Sequence, residues 1–478
     1  MSQRSALRGM AGIAAVFVVV WGVALSYWRS TYRVPSGQDL ALVGIALPVL
    51  LIAAFVGLRK AIAATRPSTP APAAPAQGAD GAATSSFADD ESFKWTLALL
   101  DSSAHLPAGH TFEEISAAAQ QGKVVGLHAE LKQTDQTRIF ASDVASVSLD
   151  DFDQSLLSAE AAGELADEHR RALMLAARAL DDLMERHAVV VLPGDESTRP
   201  VVPPFELHLL VPERWQQVAP VLGAWLDAHL AREQWSPGVA HARTRIVVNP
   251  AQALAVLDDL NVTLNRDLSP ARHIVLACDS WLSQSEVNAL ESAGQLYGRN
   301  RLDGHVPGEG ACALLLALQS DNAALPVARI HRVKMAERPV PAAQSDEASS
   351  ADSDTVVALL GSARTQTASP GWQMKHCALV SDASQRGQVR TEITAAAELA
   401  WSDLDAQSRC QHLGLANGES GAVLALSAVA VAGTHCIDEL QPAFAVSVAA
   451  PLARAAVFVS PPVPAPAETA EASETVAA

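Results

Sequence analysis

The five cysteines of this chain are the residues best suited to nucleophilic chemistry. A thiolate attacks a carbonyl carbon when a nearby imidazole lowers the pKa of the thiol and carries the proton. The cysteines are odd in number and form no C-x-x-C pair, which indicates reduced thiols rather than a disulfide framework or a zinc site. They are Cys278, Cys312, Cys377, Cys410 and Cys436.

One of these thiols has a histidine beside it in the sequence. His376 directly precedes Cys377, which suggests a Cys–His dyad. Both fall in a predicted strand, where adjacent side chains point to opposite faces, so this spacing argues against a dyad. Cys278 ends another predicted strand and Cys312 begins one, and small buried thiols are ordinary at such positions. We therefore expect the cysteines to be structural.

Carboxylates are the other candidates for acid–base chemistry. Glu309 follows a glycine, and we expect it to order its turn by accepting hydrogen bonds from backbone amides. Gly361-Ser362 lacks the frame of a G-x-S-x-G nucleophile elbow. Two acidic pairs are typical of solvated helix or loop charges: Asp150-Asp151 and Asp258-Asp259.

Two long apolar segments open the chain and determine where these residues can act. Gly9 to Trp28 and Leu40 to Leu58 carry no charged residue. Each is long enough for a helix to cross a hydrocarbon core of about 30 Å. A buried helix of a soluble protein rarely lacks a polar face over such a length. The sequence thus predicts a two-helix transmembrane anchor within residues 1–64, with spans at about 9–28 and 40–58.

Basic residues are denser outside the two spans than in the loop that connects them. This asymmetry favours a two-pass protein of the bacterial inner membrane, with both termini and the large soluble region in the cytoplasm. The net charge of −18 argues against nucleic-acid binding, which needs a basic surface. The outer residues are Arg4, Arg8, Arg59, Lys60 and Arg66, against Arg29 and Arg33 in the loop.

The remainder of the chain alternates between helix and strand patterns. A long helical pattern covers 161–187, and short apolar runs typical of strands follow at 188–192 and 205–211. Such alternation predicts an α/β fold whose buried strands are largely parallel. The predicted domains are a Pro/Ala-rich linker at 65–92, an N-terminal half at 93–325, a C-terminal half at 326–460 with a disordered loop at about 339–354, and a disordered tail at 461–478.

Three motifs, in order along the chain, resemble β-ketoacyl synthases and related proteins of the thiolase fold. Asp303 to Ala311 reads D-G-H-V-P-G-E-G-A and resembles the turn that closes the first half of that fold. Gly308 and Gly310 in this turn allow positive φ and close backbone approach. Val380-Ser381-Asp382 resembles the strand end that carries the family's first active-site histidine. The frame of the family's G-H-x-x-G-A-A-G-A segment is reproduced by Gly414, Gly418 and Gly421.

This resemblance implies a fold, but the comparison also shows that the family's catalytic residues are missing from this sequence. The implied fold is a thiolase-like duplicated αβαβα layered fold, preceded by the two transmembrane helices. Family members use a cysteine at the start of a buried helix and two histidines. The corresponding strand-to-helix junction here reads Val247-Val248-Asn249-Pro250-Ala251-Gln252, and the two histidine positions hold Ser381 and Leu415. These side chains cannot replace a thiolate and two imidazoles. A shift that used His412 instead would break the glycine frame. The resemblance therefore implies a pseudoenzyme without catalytic, cofactor-binding or metal-binding residues.

An anchored and degenerate ketosynthase also resembles the type VI lipase adaptor family of bacterial type VI secretion systems, notably at Phe205 to Glu213 (F-E-L-H-L-L-V-P-E). That resemblance implies an adaptor whose protein partner is a lipase effector delivered to the secretion spike. An alternative is an acyl-binding pseudoenzyme associated with lipid or fatty-acid synthesis, because a ketosynthase fold can keep its apolar acyl tunnel after the nucleophile is lost. A third is an active acyltransferase with relocated residues. Thiolase-fold proteins usually pair across a central strand, which makes a homodimer compatible with the fold.

Overall fold

The computed structural model describes residues 91–187, 205–233, 235, 239, 241–299, 301–318, 327–338, 350–365, 372–401 and 403–462. Both predicted transmembrane spans, most of the predicted linker, the strand predicted at 188–192 and most of the tail lie outside these residues. Within them, no helix combines the length and the apolar character that a membrane crossing requires.

The described residues form one eleven-stranded sheet and a separate two-stranded one. The first seven strands are β1 Leu97–His105, β2 Leu127–Lys132, β3 Arg138–Phe140, β4 Phe205–Pro212, β5 Arg243–Val247, β6 Arg272–Ser280 and β7 Glu309–Ala317. The others are β8 Ala328–Ile330, β9 Lys334–Glu337, β10 Ala378–Ser381, β11 Cys410–His412, β12 Ala443–Ser447 and β13 Ala453–Ser460. β2 and β3 form the small sheet.

Helices connect these strands and carry the expected end signals. Thr111 and Glu114 form a capping box at the start of the first helix, and Asn249 caps the helix that begins with Pro250. The helices are α1 Phe112–Gln120, α2 Ala159–Gly163, α3 Asp167–His187, α4 Ala219–Arg232, α5 Pro250–Asp267, α6 Gln284–Ser292, α7 Ser350–Arg364, α8 Gly387–Ala400, α9 Ala406–Arg409, α10 Gly414–Asn417 and α11 Ala422–Asp438.

The large sheet repeats one arrangement of strands twice. The first half of the sheet has the order β5-β4-β6-β7-β1, and the second half has the order β11-β10-β12-β13-β8. In each half the first three strands are parallel, and the other two pair antiparallel. The halves join where β1 pairs with β8. The sheet is therefore mixed, which corrects the prediction of largely parallel strands, and its repeated order agrees with a duplicated fold.

Three apolar cores show how helices cover this sheet. α5 and α11 pack against each other and share one core with strands of both halves. α3 and α4 cover the opposite face of the first-half strands, and α7 and α8 cover the opposite face of the second-half strands. The result is the αβαβα layering that the resemblance implied. α11 can lie at the centre because it is apolar on every side.

Two predicted boundaries differ from the structure. The helix predicted over 161–187 is broken, because α2 ends at Gly163 and the Ala166 amide then donates to His169 Nδ1 at 3.0 Å. That side-chain cap begins α3 as a new helix. The loop predicted as disordered over 339–354 also ends earlier, because α7 begins at Ser350. Residues 339–349 lie outside the described residues.

The glycine motifs of the two halves contact each other. A Cβ at Gly308 would overlap the Asn417 carbonyl oxygen, and a Cβ at Gly418 would lie 2.7 Å from the Pro307 carbonyl oxygen. Close backbone approach at Gly308 is therefore confirmed. Positive φ is not, because neither Gly308 nor Gly310 has it, whereas Gly418 has a φ of 69°. The contact fixes the turn before β7 against the segment before α11.

Candidate functional site

A cavity of about 430 Å³ lies where carboxyl ends of strands from both halves converge. Parallel strands end at the same edge of a sheet, so residues just beyond β4, β5, β6 and β10 share its wall. Val247, Val389 and Leu424 form part of its apolar lining. The charged and titratable lining residues are Arg214, Asp279, Arg301, Asp303, His305, Asp382, Arg386 and Glu419.

Arg214 anchors the first-half wall of the cavity. Its guanidinium donates to both carboxylate oxygens of Asp279 and, at 2.8 Å, to the Ser280 carbonyl oxygen. The guanidinium carbon lies 3.7 Å from the centroid of the Trp281 ring, which adds a cation–π contact. A ligand that needs this positive charge must compete with a bidentate carboxylate.

Glu419 connects the two halves across the cavity. Its carboxylate lies 2.9 Å from His305 Nδ1, and it accepts hydrogen bonds from Arg386 at 2.6 Å and from the Ser384 hydroxyl at 2.8 Å. Burial alone would raise the pKa of Glu419, but the charges of His305 and Arg386 outweigh burial and lower the pKa to about 2. Glu419 therefore stays ionised and holds His305 and Arg386 in place.

Asp382 occupies the second-half wall and is fully buried. Its carboxylate accepts hydrogen bonds from the Ser447 hydroxyl at 2.6 Å and from the amides of Val448 and Ala449 at 2.8 and 3.1 Å. Burial raises the pKa of Asp382, although these three hydrogen bonds act in the opposite direction. The carboxylate thus ties the end of β10 to the end of β12.

The start of α5 lies at the cavity, where the sequence comparison expects the ketosynthase nucleophile. Asn249 and Pro250 both contribute to the lining. The Asn249 side chain accepts from the Gln252 amide at 3.1 Å, so the amide group is used to cap the helix. These two side chains offer the cavity neither a thiol nor a hydroxyl.

The two positions that correspond to the family's histidines hold Ser381 and Leu415. Ser381 is buried at the end of β10, and its Oγ lies 2.8 Å from Nδ1 of His412 at the end of β11. Burial lowers the pKa of His412 to about 4, and Arg390 adds to this effect. The cavity wall takes the next residue, Asp382, instead of Ser381. His412 is therefore a neutral partner of a buried hydroxyl.

All five cysteines are free, and four of them are buried. Cys278 lines the cavity, and burial together with Asp279 raises the pKa of its thiol. Burial raises the pKa of Cys312 to about 12. Such thiols are protonated near neutral pH and are weak nucleophiles. His376 ends a 3₁₀ turn and Cys377 follows it, so this pair precedes β10 and does not lie within a strand as predicted.

Glu309 accepts a hydrogen bond from a backbone amide, as predicted, but this amide belongs to a distant segment and not to the turn of Glu309. It is fully buried at the start of β7, and its carboxylate accepts from the Val144 amide at 2.8 Å and from the Ser280 hydroxyl at 3.1 Å. Arg171 on α3 donates to both carboxylate oxygens and balances the charge. Three sets of donors leave this carboxylate in a structural role.

The remaining acidic candidates differ from one another. Asp258 is not a solvated charge, because Arg332 donates to its two oxygens at 2.7 and 2.9 Å and the Val333 amide donates at 2.9 Å. That prediction is wrong, since α5 turns this residue toward the strand region after β8. Gly361-Ser362 lies inside α7. The other three carboxylates are exposed as predicted: Asp150, Asp151 and Asp259.

The motifs of the sequence analysis contain three charged or titratable lining residues, Asp303, His305 and Asp382, but they did not identify the other cavity charges. Arg214 and Arg386 lie a few residues beyond strand ends, in segments without a motif of their own. Glu419 carries the clearest local signal, because it is a lone charge between Gly418 and Gly421 just before an apolar helix. Of its partners, His305 lies in the D-G-H-V-P-G-E-G-A motif, whereas Ser384 and Arg386 have no such signal.

Several solved ketosynthases are similar to this chain. The ishigamide ketosynthase/chain length factor aligns with a TM-score of 0.52 and 18% identity, over 76% of this chain and 99% of that one. The ketosynthase from module 6 of the bacillaene synthase of Bacillus subtilis 168 aligns with a TM-score of 0.52 and 12% identity, over 77% and 72%. The type II ketosynthase complex AntDE:AntF aligns with a TM-score of 0.51 and 12% identity, over 77% and 99%.

No protein-family model matches the sequence, and no curated protein matches it. Structural similarity at such low identity establishes a fold and leaves activity open, because one fold supports many functions. The chain therefore has a ketosynthase-like fold of the thiolase type.

Proposed function

We propose that this protein is a membrane-anchored, catalytically inactive ketosynthase-like adaptor that binds a partner protein. The observation that carries this proposal is the start of α5, where Asn249 and Pro250 line the cavity at the position expected for the nucleophilic cysteine. A condensing enzyme needs a thiolate at that position, directed at the carbonyl carbon of its substrate. A binding protein needs only the scaffold.

The pairing of charges in the cavity supports the same conclusion. Arg214 is held by Asp279, and Glu419 is held by His305 and Arg386. Groups that are paired in this way position backbone and join the two halves more readily than they exchange protons with a substrate. They keep the surface around the cavity in one shape, and a rigid surface favours recognition of a partner because little entropy is lost on binding.

The proposed anchor consists of the apolar segments 9–28 and 40–58, with the linker 65–92 as a tether. It would hold the ketosynthase-like body at the cytoplasmic face of the inner membrane. The most specific form of the proposal follows the resemblance to type VI lipase adaptors: the partner is a lipase effector, which the adaptor delivers to the secretion spike.

Co-purification tests this form directly. The full chain, tagged and extracted with its anchor, is co-expressed with each lipase encoded beside its gene and, as a control, with an unrelated lipase. We expect one neighbouring lipase to co-elute in a fixed ratio and the control to be absent. If no neighbouring lipase is retained and secretion of each is unchanged in a deletion strain, the lipase form of the proposal is wrong.

Catalysis is tested with the same protein. Replacement of all five cysteines by serine should leave the adaptor function unchanged, apart from packing losses near the buried Cys278 and Cys312. Coenzyme A release from acyl-coenzyme A by the wild-type chain, and its loss in a folded Cys278→Ser variant, would overturn the assignment as a pseudoenzyme.

A second candidate is an acyl-binding pseudoenzyme, which the apolar part of the cavity favours. Val247, Val389 and Leu424 offer an acyl chain the burial that stabilises it. Mass spectrometry of organic extracts from the purified full chain distinguishes the two functions. A stoichiometric fatty acid that disappears in a Leu424→Trp variant supports the acyl-binding function, whereas its absence from the wild-type chain supports the adaptor.

A further inference from the structure

A second polar cluster lies at the other end of β4 and β6, away from the cavity. Glu206 and His208 are two residues apart on β4, so they share one face of the strand, and β6 places His273 opposite Glu206 in the parallel register. Pro212, which lines the cavity, lies four positions after His208, which corresponds to roughly 13 Å along the strand. The cluster is therefore independent of the candidate site and of the proposed function.

The side chains of this cluster face one another. His208 Nε2 lies 3.0 Å from His273 Nδ1. One ligand atom from each of Glu206, His208 and His273 lies within 4.8 Å of the other two. The histidines are 1% and 6% exposed, whereas Glu206 is half-buried and opens the cluster toward solvent.

The two imidazoles have few partners in the protein. His208 Nδ1 and His273 Nε2 are buried, and neither makes a hydrogen bond within the described part of the chain. A buried polar group without a hydrogen-bond partner destabilises the fold. Imidazole nitrogens are common ligands of metal ions.

We propose that Glu206, His208 and His273 bind a divalent transition-metal ion of the Zn²⁺ type. Two imidazoles and one carboxylate are a donor set that suits Zn²⁺, and an ion at about 2.0–2.1 Å from each facing nitrogen fits between rings whose nitrogens are 3.0 Å apart. The ion would replace the hydrogen bond between the two facing nitrogens, and each outer ring nitrogen would then carry the proton. Three protein ligands leave one tetrahedral position for water.

The neighbouring β5 limits the affinity without blocking the site. Arg243 contacts Oε2 of Glu206 at 3.1 Å, which leaves Oε1 for an ion. Arg243 and Arg245 also place positive charge beside the histidines, as their effect on the pKa of His208 shows. We therefore expect an Arg243→Ala variant to bind the ion more tightly than the wild-type chain.

A Co²⁺ titration tests the site, with the full chain stripped by a chelator and kept reduced in detergent. We expect one Co²⁺ per chain, visible d–d absorption from nitrogen and oxygen ligands, and displacement by Zn²⁺. His208→Gln and His273→Gln should abolish this absorption, and Glu206→Gln should weaken binding. His241→Ala is the matched control, because this histidine has a 95% exposed side chain and lies outside the cluster.

Three outcomes would overturn the proposal: no Co²⁺ absorption in the wild-type chain, absorption that persists in both histidine variants, or thiolate-to-metal charge transfer, which would assign the ion to cysteine. Circular dichroism shows which variants fold. If the buried histidine variants do not, Glu206→Gln decides, since its side chain is partly exposed. Zn²⁺ should raise the unfolding temperature of the wild-type chain and should raise that of Glu206→Gln much less.

Discussion

The two halves of the large sheet share a strand order but reverse the polarity of a buried ion pair. In the first half, β7 presents Glu309 to Arg171 on α3. In the second half, β13 presents Arg454 to Glu392 on α8, with N–O distances of 2.7 and 3.0 Å. In both halves a buried charge on the fourth strand of the sheet order thus has a partner, but the sign of that charge differs between the halves.

The halves also contribute differently to the cavity. Arg214 pairs with Asp279 inside the first half, whereas Arg386 of the second half pairs with Glu419, which also binds His305 of the first half. Each wall therefore contains a charge-balanced pair within its own half, and Glu419 makes an additional contact to the other half. This difference makes Glu419 the residue that couples the two halves.

Breaking either buried ion pair should have the largest effect on stability. Arg171→Met and Arg454→Met each leave a buried carboxylate without its main partner, and we expect each to lower the free energy of unfolding by about 3–5 kcal/mol. Urea unfolding of the full chain in detergent, followed by tryptophan fluorescence, measures the loss.

Neutralising the remaining carboxylate shows how the halves differ. Adding Glu309→Gln to the Arg171→Met variant should restore much of the lost free energy of unfolding. Glu392→Gln should restore less in Arg454→Met, because Arg338 still lies 3.5 Å from Glu392. Equal restoration in the two halves would show that Arg338 does not compensate and would remove this difference between them.

Acid should weaken the contact that couples the halves. The pKa of Glu419 is lowered from 4.5 to about 2, so its ionised form stabilises the fold above pH 4.5 and this contribution is lost as pH falls toward 2. The shift corresponds to about 3 kcal/mol. The advantage of the wild-type chain over Glu419→Gln in unfolding free energy should shrink by this amount across that range.

Asp382→Asn provides a control of opposite sign. Burial raises the pKa of Asp382, so the folded state binds its proton more readily than the unfolded state. The wild-type chain should gain stability relative to Asp382→Asn as pH falls. The same trend in both variants would mean that general acid denaturation, rather than these two carboxylates, determines the response.

Local patterns were sufficient to predict individual elements, because they depend on neighbouring residues, but they did not show that the sheet is mixed. The apolar runs of β6 and β7 and the motif around Gly308 identify the strand and the turn without reference to the rest of the chain. The same holds for the cap formed by Asn249 and Pro250. Each of these signals lies within about ten residues of the element that it predicts.

The site could not be predicted in this way, because its contacts join distant residues. Arg332 reaches Asp258 across 74 positions, and Arg171 reaches Glu309 across 138. Glu206 and His208 gain His273 only through the register of β4 and β6. From the sequence alone a charged residue is predicted to be solvated, because the residue that pairs with it cannot be identified. The fold brings Arg332 to Asp258, which explains the wrong prediction for Asp258.

The glycine contact between the halves gives a smaller and more local test. A Cβ at Gly308 would overlap the Asn417 carbonyl oxygen, so Gly308→Ala should cost about 1–3 kcal/mol through overpacking. Gly387→Ala is the matched control, because no atom lies within 4 Å of the added Cβ at the start of α8. The control should be neutral or stabilising by up to about 1 kcal/mol. Equal losses would refute the close approach.

The smallest expected effect is a difference in stability between one substitution in each wall of the cavity. Arg214→Lys keeps the positive charge but loses the bidentate hydrogen bonds to Asp279 and the stacking on the Trp281 ring. Arg386→Lys loses the guanidinium hydrogen bonds to Glu419 and to the Ala449 carbonyl oxygen but no stacking, because no aromatic ring lies beside Arg386 within the described residues. We expect Arg214→Lys to be more destabilising by about 0.5–1 kcal/mol, the size of a partly exposed cation–π contact. Urea midpoints of the two variants measure this difference. If Arg386→Lys is the more destabilising variant, the Arg386–Glu419 pair of the second-half wall contributes more to stability than the stacked arginine of the first-half wall.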